Sequence, residues 1–352
     1  MTAEREILAN ATLREIEAFA ANLLPSYAHD YYASGARDEQ TFRGNLAGWS
    51  RWWLVPRMLN DVAKVSLETS ILGNKISVPL MVAPMASQRM AHPLGELATA
   101  QAAANAGTVM IVSTSTTTPI EEIGAVPGLR FFYQLYPWSD HDATVAMVDR
   151  AVAAGAKAIV LTVDVTVDVD PKRRPRGGLF TPDWVTYPMH HDGASILLSL
   201  DWAYFKKLRS HVKVPIVVKG ILHPDDARRA IDEGADAIEV SNHGGRTLDG
   251  AIPTAEILPE VVEAVDGRVE VLVDGGIRRG VDILRALALG ARVAVVGRPF
   301  LWGLAVGGEE GSRRIFSILT NELRQDAAYS GVTDIREVPR DLVRISRIGI
   351  PS

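Results

Sequence analysis

Short apolar runs recur along the chain from about residue 78 onward, and this repeat restricts the possible folds more than any other feature. Each run is continuously apolar, which is typical of strands buried on both faces of a parallel sheet. The eight runs are VPLMVAP, TVMIVST, RFFYQLY, AIVLTVD, VPIVVKG, AIEVSN, VEVLVDGG and RVAVVGR. The chain therefore carries the pattern of a large parallel sheet.

Alanine-rich segments lie between most of these runs, with their charged residues on one helical face. Each closes with glycine, the residue preferred just beyond a helix C terminus. Examples are GELATAQAAANAG, HDATVAMVDRAVAAG, HPDDARRAIDEG and RRGVDILRALALG. Eight strands alternating with helices predict an α/β fold of the (β/α)8 TIM-barrel type. An open doubly wound sheet is the alternative, but eight units favour closure.

The segments outside the repeat suggest how the chain of 352 residues is divided. Residues 1–77 are predicted to form an N-terminal helical extension, partly irregular, that covers one end of the same domain. Residues 78–352 are predicted to form the barrel. The gap between the fourth and fifth runs is unusually long and holds TPDWVTYPMHHDGAS, so we expect a lid region at about 165–200. The helix of that unit is expected near SLDWAYFKKLRS.

Composition excludes several classes of protein. Hydrophobic residues make up 47% and charged residues 22%, which excludes disorder for most of the chain. A net charge of −5 argues against a nucleic-acid binder, and the absence of cysteine excludes disulfides and thiolate metal sites; we expect no metal. The N terminus has no apolar signal-peptide core, and no apolar run reaches the roughly 18 residues of a membrane helix. We therefore expect a cytoplasmic protein.

The residues that end the apolar runs include a polar group in nearly every case. Active sites of (β/α)8 barrels lie at the carboxyl ends of the strands, so these residues are predicted to share one cavity. They are Pro84, Met85, Ala86, Ser87, Ser113, Gln134, Tyr136, Thr162, Asp164, Lys219, Ser241, Asn242, His243, Arg246, Asp274, Gly275, Gly276, Gly297 and Arg298.

Two glycine-rich segments after the last two runs predict a phosphate site. They are DGGIRRG (274–280) and GRPF (297–300). Glycine lets backbone N–H groups approach an anion, and the helix that begins near Arg279 adds its positive end. Arg278 and Arg298 could close on the phosphate. Tight turns with surface arginines are the alternative interpretation.

The segment SNHGGRTLD (241–249) is the most specific in the chain. It places a histidine that can accept a proton near neutral pH beside a guanidinium that can bind a carboxylate. Asp164 could orient the imidazole of His243 and favour its charged form. A structural histidine and an ordinary surface salt bridge of Asp164 remain the alternatives.

Together these segments resemble the FMN-dependent 2-hydroxy acid oxidases and dehydrogenases, a family that includes glycolate, lactate and hydroxymandelate oxidases. The likeness rests on SNHGGRTLD, VLVDGGIRRGVDILRALALGA and VGRPFLW, and it extends from YYASGARDE (31–39) through APMASQRMAHPLGELATA (83–100) and FFYQLY (131–136) to AYSG. It implies FMN-dependent oxidation of an (S)-2-hydroxy acid to the 2-oxo acid, with O2 or another acceptor. It also implies a homotetramer, and the charge and hydropathy of the chain predict no nucleic-acid or membrane partner.

The resemblance assigns the cofactor contacts residue by residue. It implies that the flavin is contacted by Pro84, Met85, Ala86, Ser113, Gln134 and Thr162. It implies that the ribityl phosphate is held by Asp274, Gly275, Gly276, Ile277, Arg278, Gly297 and Arg298. Lys219 would lie by the N1/O2 edge of the flavin and stabilise the anionic reduced ring, with Ser241 assisting.

The resemblance also assigns the substrate contacts. His243 would be the base, paired with Asp164, and Arg246 would bind the substrate carboxylate. Tyr31 and Tyr136 would help to hold the substrate, although one of Tyr31 and its neighbour Tyr32 is expected to be core packing. The sequence leaves open hydride transfer or a carbanion route, and an oxidase, a dehydrogenase or a monooxygenase.

One segment departs from the family pattern. Family members place a substrate-binding arginine soon after the fourth strand, but here TVDVTVDVDPKRRPRGG is longer by a few residues. Arg174 is the best candidate, with Arg173 and Arg176 as rivals and a solvated basic loop as the alternative. This departure motivates a second hypothesis, oxidation of a non-standard biosynthetic substrate. A third hypothesis is a phosphate-ligand binding barrel without turnover.

Two small residues indicate the size of the substrate pocket. Ser87 and Ser115 are smaller than the residues that some relatives carry at these positions. We therefore expect a roomier pocket, suited to an aromatic or branched 2-hydroxy acid.

Overall fold

A computed structural model of the chain describes residues 8–166, 182–191, 193 and 195–346. The described N-terminal part includes three helices and three short strands. They are α1 (Leu13–Leu23), α2 (Ser26–Ala33), α3 (Gln40–Gly48), β1 (Trp52–Leu54), β2 (Thr69–Ile71) and β3 (Asn74–Ile76). A capping box starts α1, because Thr12 and Glu15 each accept a hydrogen bond from the backbone N–H of the other.

Eight parallel strands then close into a barrel, as the sequence predicts. The strands are β4 (Leu80–Val82), β5 (Val109–Val112), β6 (Arg130–Leu135), β7 (Ile159–Thr162), β8 (Ile216–Ile221), β9 (Ala237–Val240), β10 (Glu270–Val273) and β11 (Val293–Val296). All eight apolar runs form strands, and β11 pairs with β4 to complete the ring. The open doubly wound sheet is therefore excluded.

Helices follow the barrel strands and surround them. They are α4 (Gly95–Asn105), α5 (Ile120–Gly124), α6 (His141–Ala153), α7 (Trp202–His211), α8 (Pro224–Asp232), α9 (Thr254–Val265), α10 (Gly280–Ala288) and α11 (Arg298–Tyr329). The helix expected near SLDWAYFKKLRS is α7, and α11 is interrupted at Gly307 and Gly308 by non-helical backbone. The strand β12 (Val343–Ile345) ends the described chain and pairs antiparallel with β1.

The core has two layers, one inside the barrel and one between the strands and the helices. The inner layer is apolar and fully buried over most of its depth, and burying each such side chain contributes about 1.5–3 kcal/mol. It includes Met81, Val109, Ile111, Phe132, Val160, Val217, Leu272 and Val295. Because this layer fills the barrel, the polar residues that follow the strands form the floor of a cavity at one end.

Described residues of the N-terminal part contact the loops at that same end. The side-chain amide of Asn45 pairs with that of Asn242, and Trp49 Nε1 donates to the carbonyl of Gly275. The division of the domain at residue 77 stays a prediction, as does the lid at about 165–200, of which residues 167–181 lie outside the described chain. Within the described residues, no helix combines the length and apolar character needed to cross a bilayer.

Candidate active site

A cavity of about 210 Å³ lies at the carboxyl ends of the barrel strands. The structure brings nearly all of the predicted site residues to its wall. Those that line it are Tyr31, Pro84, Met85, Ala86, Ser113, Gln134, Tyr136, Thr162, Lys219, His243, Arg246, Asp274, Gly275, Gly276, Ile277, Arg278, Gly297 and Arg298. Asp164 and Ser241 do not line the cavity but hydrogen-bond to residues that do. Arg173, Arg174 and Arg176 lie outside the described residues.

Sequence reasoning assigned no role to several other lining residues. These are Tyr32, Ala83, Gly244, Val295, Val296 and Leu301. Alternate residues of a strand share one face, so the inward positions of Ala83 and Val295 could have been found from strand alternation. The Tyr32 hydroxyl donates to the Ser87 carbonyl at 2.6 Å and its ring packs against Trp302. Tyr32 is therefore the more structural of the two neighbouring tyrosines.

His243 is held from two sides. Its Nδ1 lies 2.8 Å from Asp164 Oδ1, and its Nε2 lies 3.3 Å from the hydroxyl of Tyr136. Its backbone has φ +58°, a left-handed conformation that is uncommon outside glycine. The backbone N–H of His243 donates to Ser241 Oγ at 3.1 Å, which helps to hold this conformation. The imidazole is thus fixed with one nitrogen against a carboxylate.

The charge of Asp164 determines which imidazole nitrogen is free. Burial by itself would raise the pKa of Asp164, but His243 and Lys219 lower it below its usual value. An ionised Asp164 can only accept, so the neutral form of the His243 imidazole carries its proton on Nδ1 and presents the lone pair of Nε2. Burial raises the pKa of Tyr136, whose hydroxyl therefore stays protonated beside that lone pair.

Lys219 is a buried ammonium at the floor of the cavity. Its Nζ donates to Ser241 Oγ at 2.8 Å and lies 3.4 Å from Asp274 Oδ2 and 4.0 Å from Asp164 Oδ2. Burial alone would lower the pKa of Lys219, but the surrounding carboxyl groups, Asp274 first among them, raise it above its usual value. Lys219 therefore keeps its positive charge although it is only 3% exposed.

A local irregularity of β8 brings Asp164 next to Lys219. The pairing of β8 with β9 shifts register between Lys219 and Ile221, and Gly220 between them has φ +110°. A Cβ on Gly220 would lie 2.7 Å from the Cβ of Asp164. Glycine at this bulge therefore provides both the backbone conformation and the space that Asp164 occupies.

Arg278 and Arg298 bring two further positive charges to the cavity. Arg298 donates to the backbone carbonyls of Tyr32, Gly244 and Ser34 at 3.0–3.1 Å. Arg278 donates to the carbonyl of Ile277 at 3.0 Å. Burial lowers the pKa of both guanidinium groups, and no carboxylate of the described residues forms an ion pair with either. Partly buried charges without a counterion are costly, so this part of the cavity suits an anion.

The turn after β10 requires glycine. Gly275 and Gly276 have φ +96° and +79°, and a Cβ on Gly276 would lie 2.0 Å from the carbonyl oxygen of Asn45. This turn and the two partly buried guanidinium groups meet the needs of the phosphate of FMN, and Lys219 supplies a cation for the ring. The residues present therefore fit the cofactor that the sequence implies.

One element of the predicted phosphate site is corrected. The N terminus of α10, near Arg279, was expected to offer its positive end to the phosphate. Instead Asp282 accepts hydrogen bonds from the N–H groups of Arg278 and Arg279 at 3.0 and 3.1 Å, and Glu322 accepts from that of Gly280 at 2.8 Å. These protein carboxylates already satisfy the N–H groups that an anion would need.

Arg246 is placed to bind a carboxylate. Its Nη1 donates to the carbonyls of Tyr31 and Ser34 at 2.8 and 3.0 Å, and its guanidinium lies 5.2 Å from the centre of the Tyr31 ring. Within the described chain, Nη2 and Nε of Arg246 form no hydrogen bond. Because the residue lines the cavity, these groups remain available to a ligand.

Of the two small residues expected to widen the pocket, only Ser115 lines it. Ser87 is buried behind the wall, where its hydroxyl lies 2.8 Å from that of Tyr187. The Ser115 hydroxyl lies 3.1 Å from Nε2 of His190, whose ring stacks on Tyr187 at 4.6 Å. Described residues after the fourth barrel strand therefore form part of the surroundings of the cavity.

Comparisons with known proteins agree with the family resemblance of the sequence. Residues 20–345 match the model of a family described as FMN-dependent dehydrogenase. L-lactate oxidase from Nostoc sp. is 45% identical, over 95% of this chain and 98% of that protein. Human 2-hydroxyacid oxidase 1 is 41% identical, over 96% of this chain and 97% of that protein. A solved structure of mandelate oxidase with (S)-4-hydroxymandelic acid is 39% identical and superposes with a TM-score of 0.92, covering 96% of this chain and 100% of that one.

Proposed function

The chain belongs to the FMN-dependent dehydrogenase family, and from this premise we propose that it oxidises an (S)-2-hydroxy acid to the 2-oxo acid with His243 as the base. FMN dependence and action on 2-hydroxy acids follow from the family. The base and the individual substrate are the proposed part. The observation that supports it is the position of His243, with Nδ1 held 2.8 Å from Asp164 and Nε2 at the cavity.

The cofactor would be held by the residues that line the cavity around the strand ends. When bound, FMN supplies the acceptor for the two electrons that the substrate loses as its hydroxyl carbon becomes a carbonyl. Arg278 and Arg298 would bind the phosphate, and Lys219 would place its positive charge against the ring. The flavin contacts would come from Pro84, Met85, Ala86, Ser113, Gln134 and Thr162.

The substrate carboxylate would be bound by Arg246. A guanidinium holds a carboxylate through two parallel hydrogen bonds, which also fixes its orientation. Tyr31 and Tyr136 line the same cavity and would hold the rest of the polar end of the substrate. A second arginine, Arg174 with Arg173 and Arg176 as alternatives, remains a proposal from sequence.

His243 would remove a proton from the substrate at Nε2. Because Asp164 is ionised and accepts from Nδ1, the positive charge that develops on the imidazole is stabilised as it forms. Tyr136, 3.3 Å from Nε2, would keep the substrate hydroxyl near the same nitrogen. Positioned general bases of this kind contribute about 10²–10⁴-fold in rate.

We propose an aromatic or branched acid as the substrate. Ser115 gives the cavity wall a small side chain, and a mandelate oxidase that superposes on the chain was solved with an aromatic 2-hydroxy acid. The alternative is a non-standard biosynthetic substrate, which the altered segment after β7 motivates.

A substrate panel tests this proposal. The FMN-loaded protein is mixed without air with glycolate, lactate, mandelate and longer 2-hydroxy acids, and the loss of visible flavin absorbance is followed. We expect the fastest loss with mandelate or a branched acid. Loss with none of them would favour the alternative substrate. Admitting air afterwards shows whether O2 is an acceptor.

The role of His243 has its own test. His243→Ala should lower the rate of flavin reduction by about 10²-fold or more while FMN stays bound. His211→Ala is the matched control, because His211 also pairs with an aspartate, Asp149 at 2.8 Å, but lies on the surface. Substantial reduction by the His243 variant would remove this residue from the role of base.

The assembly and compartment are also proposed. The family resemblance suggests a homotetramer, and the sequence favours the cytoplasm. Light scattering on the FMN-loaded protein would measure the number of subunits directly. A monomer at micromolar concentration would contradict the tetramer.

A further inference from the structure

Glu239 lies inside the barrel below the active site and takes no part in the mechanism above. It is 0% exposed and lies on β9, on the same face as Ala237 of the inner core. Its neighbours in register are Lys219 on β8 and Leu272 on β10. Neither oxygen of its carboxyl group has a hydrogen-bond partner among the described residues. A buried carboxylate in that state would be strongly disfavoured.

Two further orphaned oxygens lie in the same group of charges, Oδ1 of Asp274 and Oδ2 of Asp164. Asp274 places Oδ2 3.4 Å from the ammonium of Lys219, but its Oδ1 is buried without a partner within the described chain. Asp164 faces the same ammonium at 4.0 Å. Three carboxyl groups therefore surround one cation. If all three were ionised, negative charge would exceed positive charge in a buried place.

The contacts of the three carboxyl groups differ. Asp164 accepts a hydrogen bond from His243, and Asp274 places one oxygen against the ammonium of Lys219. Glu239 has no such donor. Burial, acting against the attraction of Lys219 and together with repulsion from Asp274 and Asp164, raises the pKa of Glu239 well above its usual value.

We propose that Glu239 is a neutral carboxylic acid whose proton is shared with Oδ1 of Asp274, and that it is a positioning residue for Lys219. The shared proton gives a partner to two orphaned groups at once. It also leaves Lys219 opposed by two negative charges rather than three, so that its positive charge can act toward the cavity. The inference rests on the proposed role of Lys219 at the cofactor, but the proton itself can be tested without FMN.

The first experiment is infrared spectroscopy of the FMN-free protein. A protonated carboxylic acid has a C=O stretching band separate from the carboxylate bands. We expect such a band to shift when glutamate is labelled with ¹³C and to be absent from Glu239→Gln, which replaces the acid with a neutral amide of the same shape. Labelling the unmodified protein decides the question even if the variant does not fold. No glutamate-derived acid band would overturn the proposal.

The second experiment tests the positioning role through FMN affinity. As pH rises, ionisation of Glu239 should weaken FMN binding to the wild type, measured by flavin fluorescence, and Glu239→Gln should lose this alkaline decrease. Lys219, Asp274 and Asp164 also face the site, but they are present in both proteins and cancel in the comparison. Identical alkaline profiles would overturn the positioning role.

Different measurements test the proposed function and the proposed role of Glu239. Flavin reduction by a 2-hydroxy acid at neutral pH, measured for both proteins, reports the proposed function. The acid band and the alkaline profile report Glu239 alone. The activity could therefore be absent while the acid band is present, or the reverse.

Discussion

Several residues of this site have a backbone conformation or a buried charge that would be unfavourable for that residue alone. His243 has a left-handed backbone, a state that costs on the order of 1–3 kcal/mol for residues other than glycine. Asp164 and Lys219 are charged although they are nearly buried. Each cost is offset by another member of the group, since Asp164 compensates the charge of Lys219 and fixes the tautomer of His243. The reactive geometry therefore depends on the whole group.

Asp164→Asn tests this dependence. An amide can donate to Nδ1, so the imidazole would turn its proton toward the cavity and could no longer accept one there. We expect anaerobic flavin reduction to slow by about 10²-fold or more while FMN remains bound. Stopped-flow absorbance measures the rate.

The control for this variant is Asp149→Asn, which changes the aspartate of a similar pair with His211 on the surface. It should leave flavin reduction unchanged. A rate for Asp164→Asn within a few-fold of the wild type would mean that the tautomer of His243 does not depend on Asp164.

At the scale of elements, the irregularity in β8 makes room for the Asp164 side chain, which a regular strand would not. A regular strand would carry a side chain at position 220, where Asp164 now lies against the backbone. The bulge re-aims the strand end and leaves room for the carboxylate between β7 and β8. Barrel strands thus provide the rigid frame, and one irregular position provides the contact between two charged groups.

Gly220→Ala should disturb both stability and catalysis. Its φ of +110° strains any other residue, and the added Cβ would lie 2.7 Å from Asp164 Cβ. Gly73→Ala is the matched control, because φ is +75° there but nothing lies within 4 Å of the added Cβ. Strain alone should cost Gly73→Ala about 1 kcal/mol in the free energy of unfolding.

For Gly220→Ala we expect a larger loss of stability and slower flavin reduction, because Asp164 must move away from His243. Denaturant unfolding and stopped-flow absorbance measure the two effects. Equal stability losses in the two variants, with flavin reduction unchanged in both, would show that the space at Gly220 is not what holds Asp164.

At the scale of the whole molecule, the sequence predicted the barrel and most of the cavity for one physical reason. Strands buried on both faces leave continuous apolar runs, and polar residues just after such runs must meet at one end of a closed barrel. Contacts between distant parts of the chain leave no such local pattern. Glu322 on α11 accepts a hydrogen bond from the backbone N–H of Gly280, and no sequence pattern near either residue predicts this contact.

Glu239 shows that a correctly predicted strand does not reveal which residues surround its side chains. The run AIEVSN was correctly predicted to be a buried strand. A single charged residue inside it carries no sign of which strands lie beside it. Only the closed barrel places Lys219 and Asp274 around that carboxyl group.

Cofactor binding should stabilise the whole fold, because the phosphate would neutralise charges that the folded chain buries. A ligand that binds only the folded state at 100 times its Kd adds about 2.7 kcal/mol to the free energy of unfolding. Arg278→Ala should remove a charged hydrogen bond worth about 1.5–3 kcal/mol. Its Kd for FMN should therefore rise about 10- to 100-fold, and the rise in Tm on adding FMN should shrink.

Arg279→Ala separates binding from simple loss of an arginine. Arg279 is the next residue in sequence, but its guanidinium pairs with Glu322 on the surface, 2.9 Å away. Thermal unfolding with increasing FMN should give this variant a ligand-dependent rise in Tm equal to that of the wild type, even if its Tm without FMN is lower. If both arginine variants lost the same part of the FMN-dependent rise, the guanidinium of Arg278 would not be the phosphate-binding group, and the anion would have to lie elsewhere in the cavity.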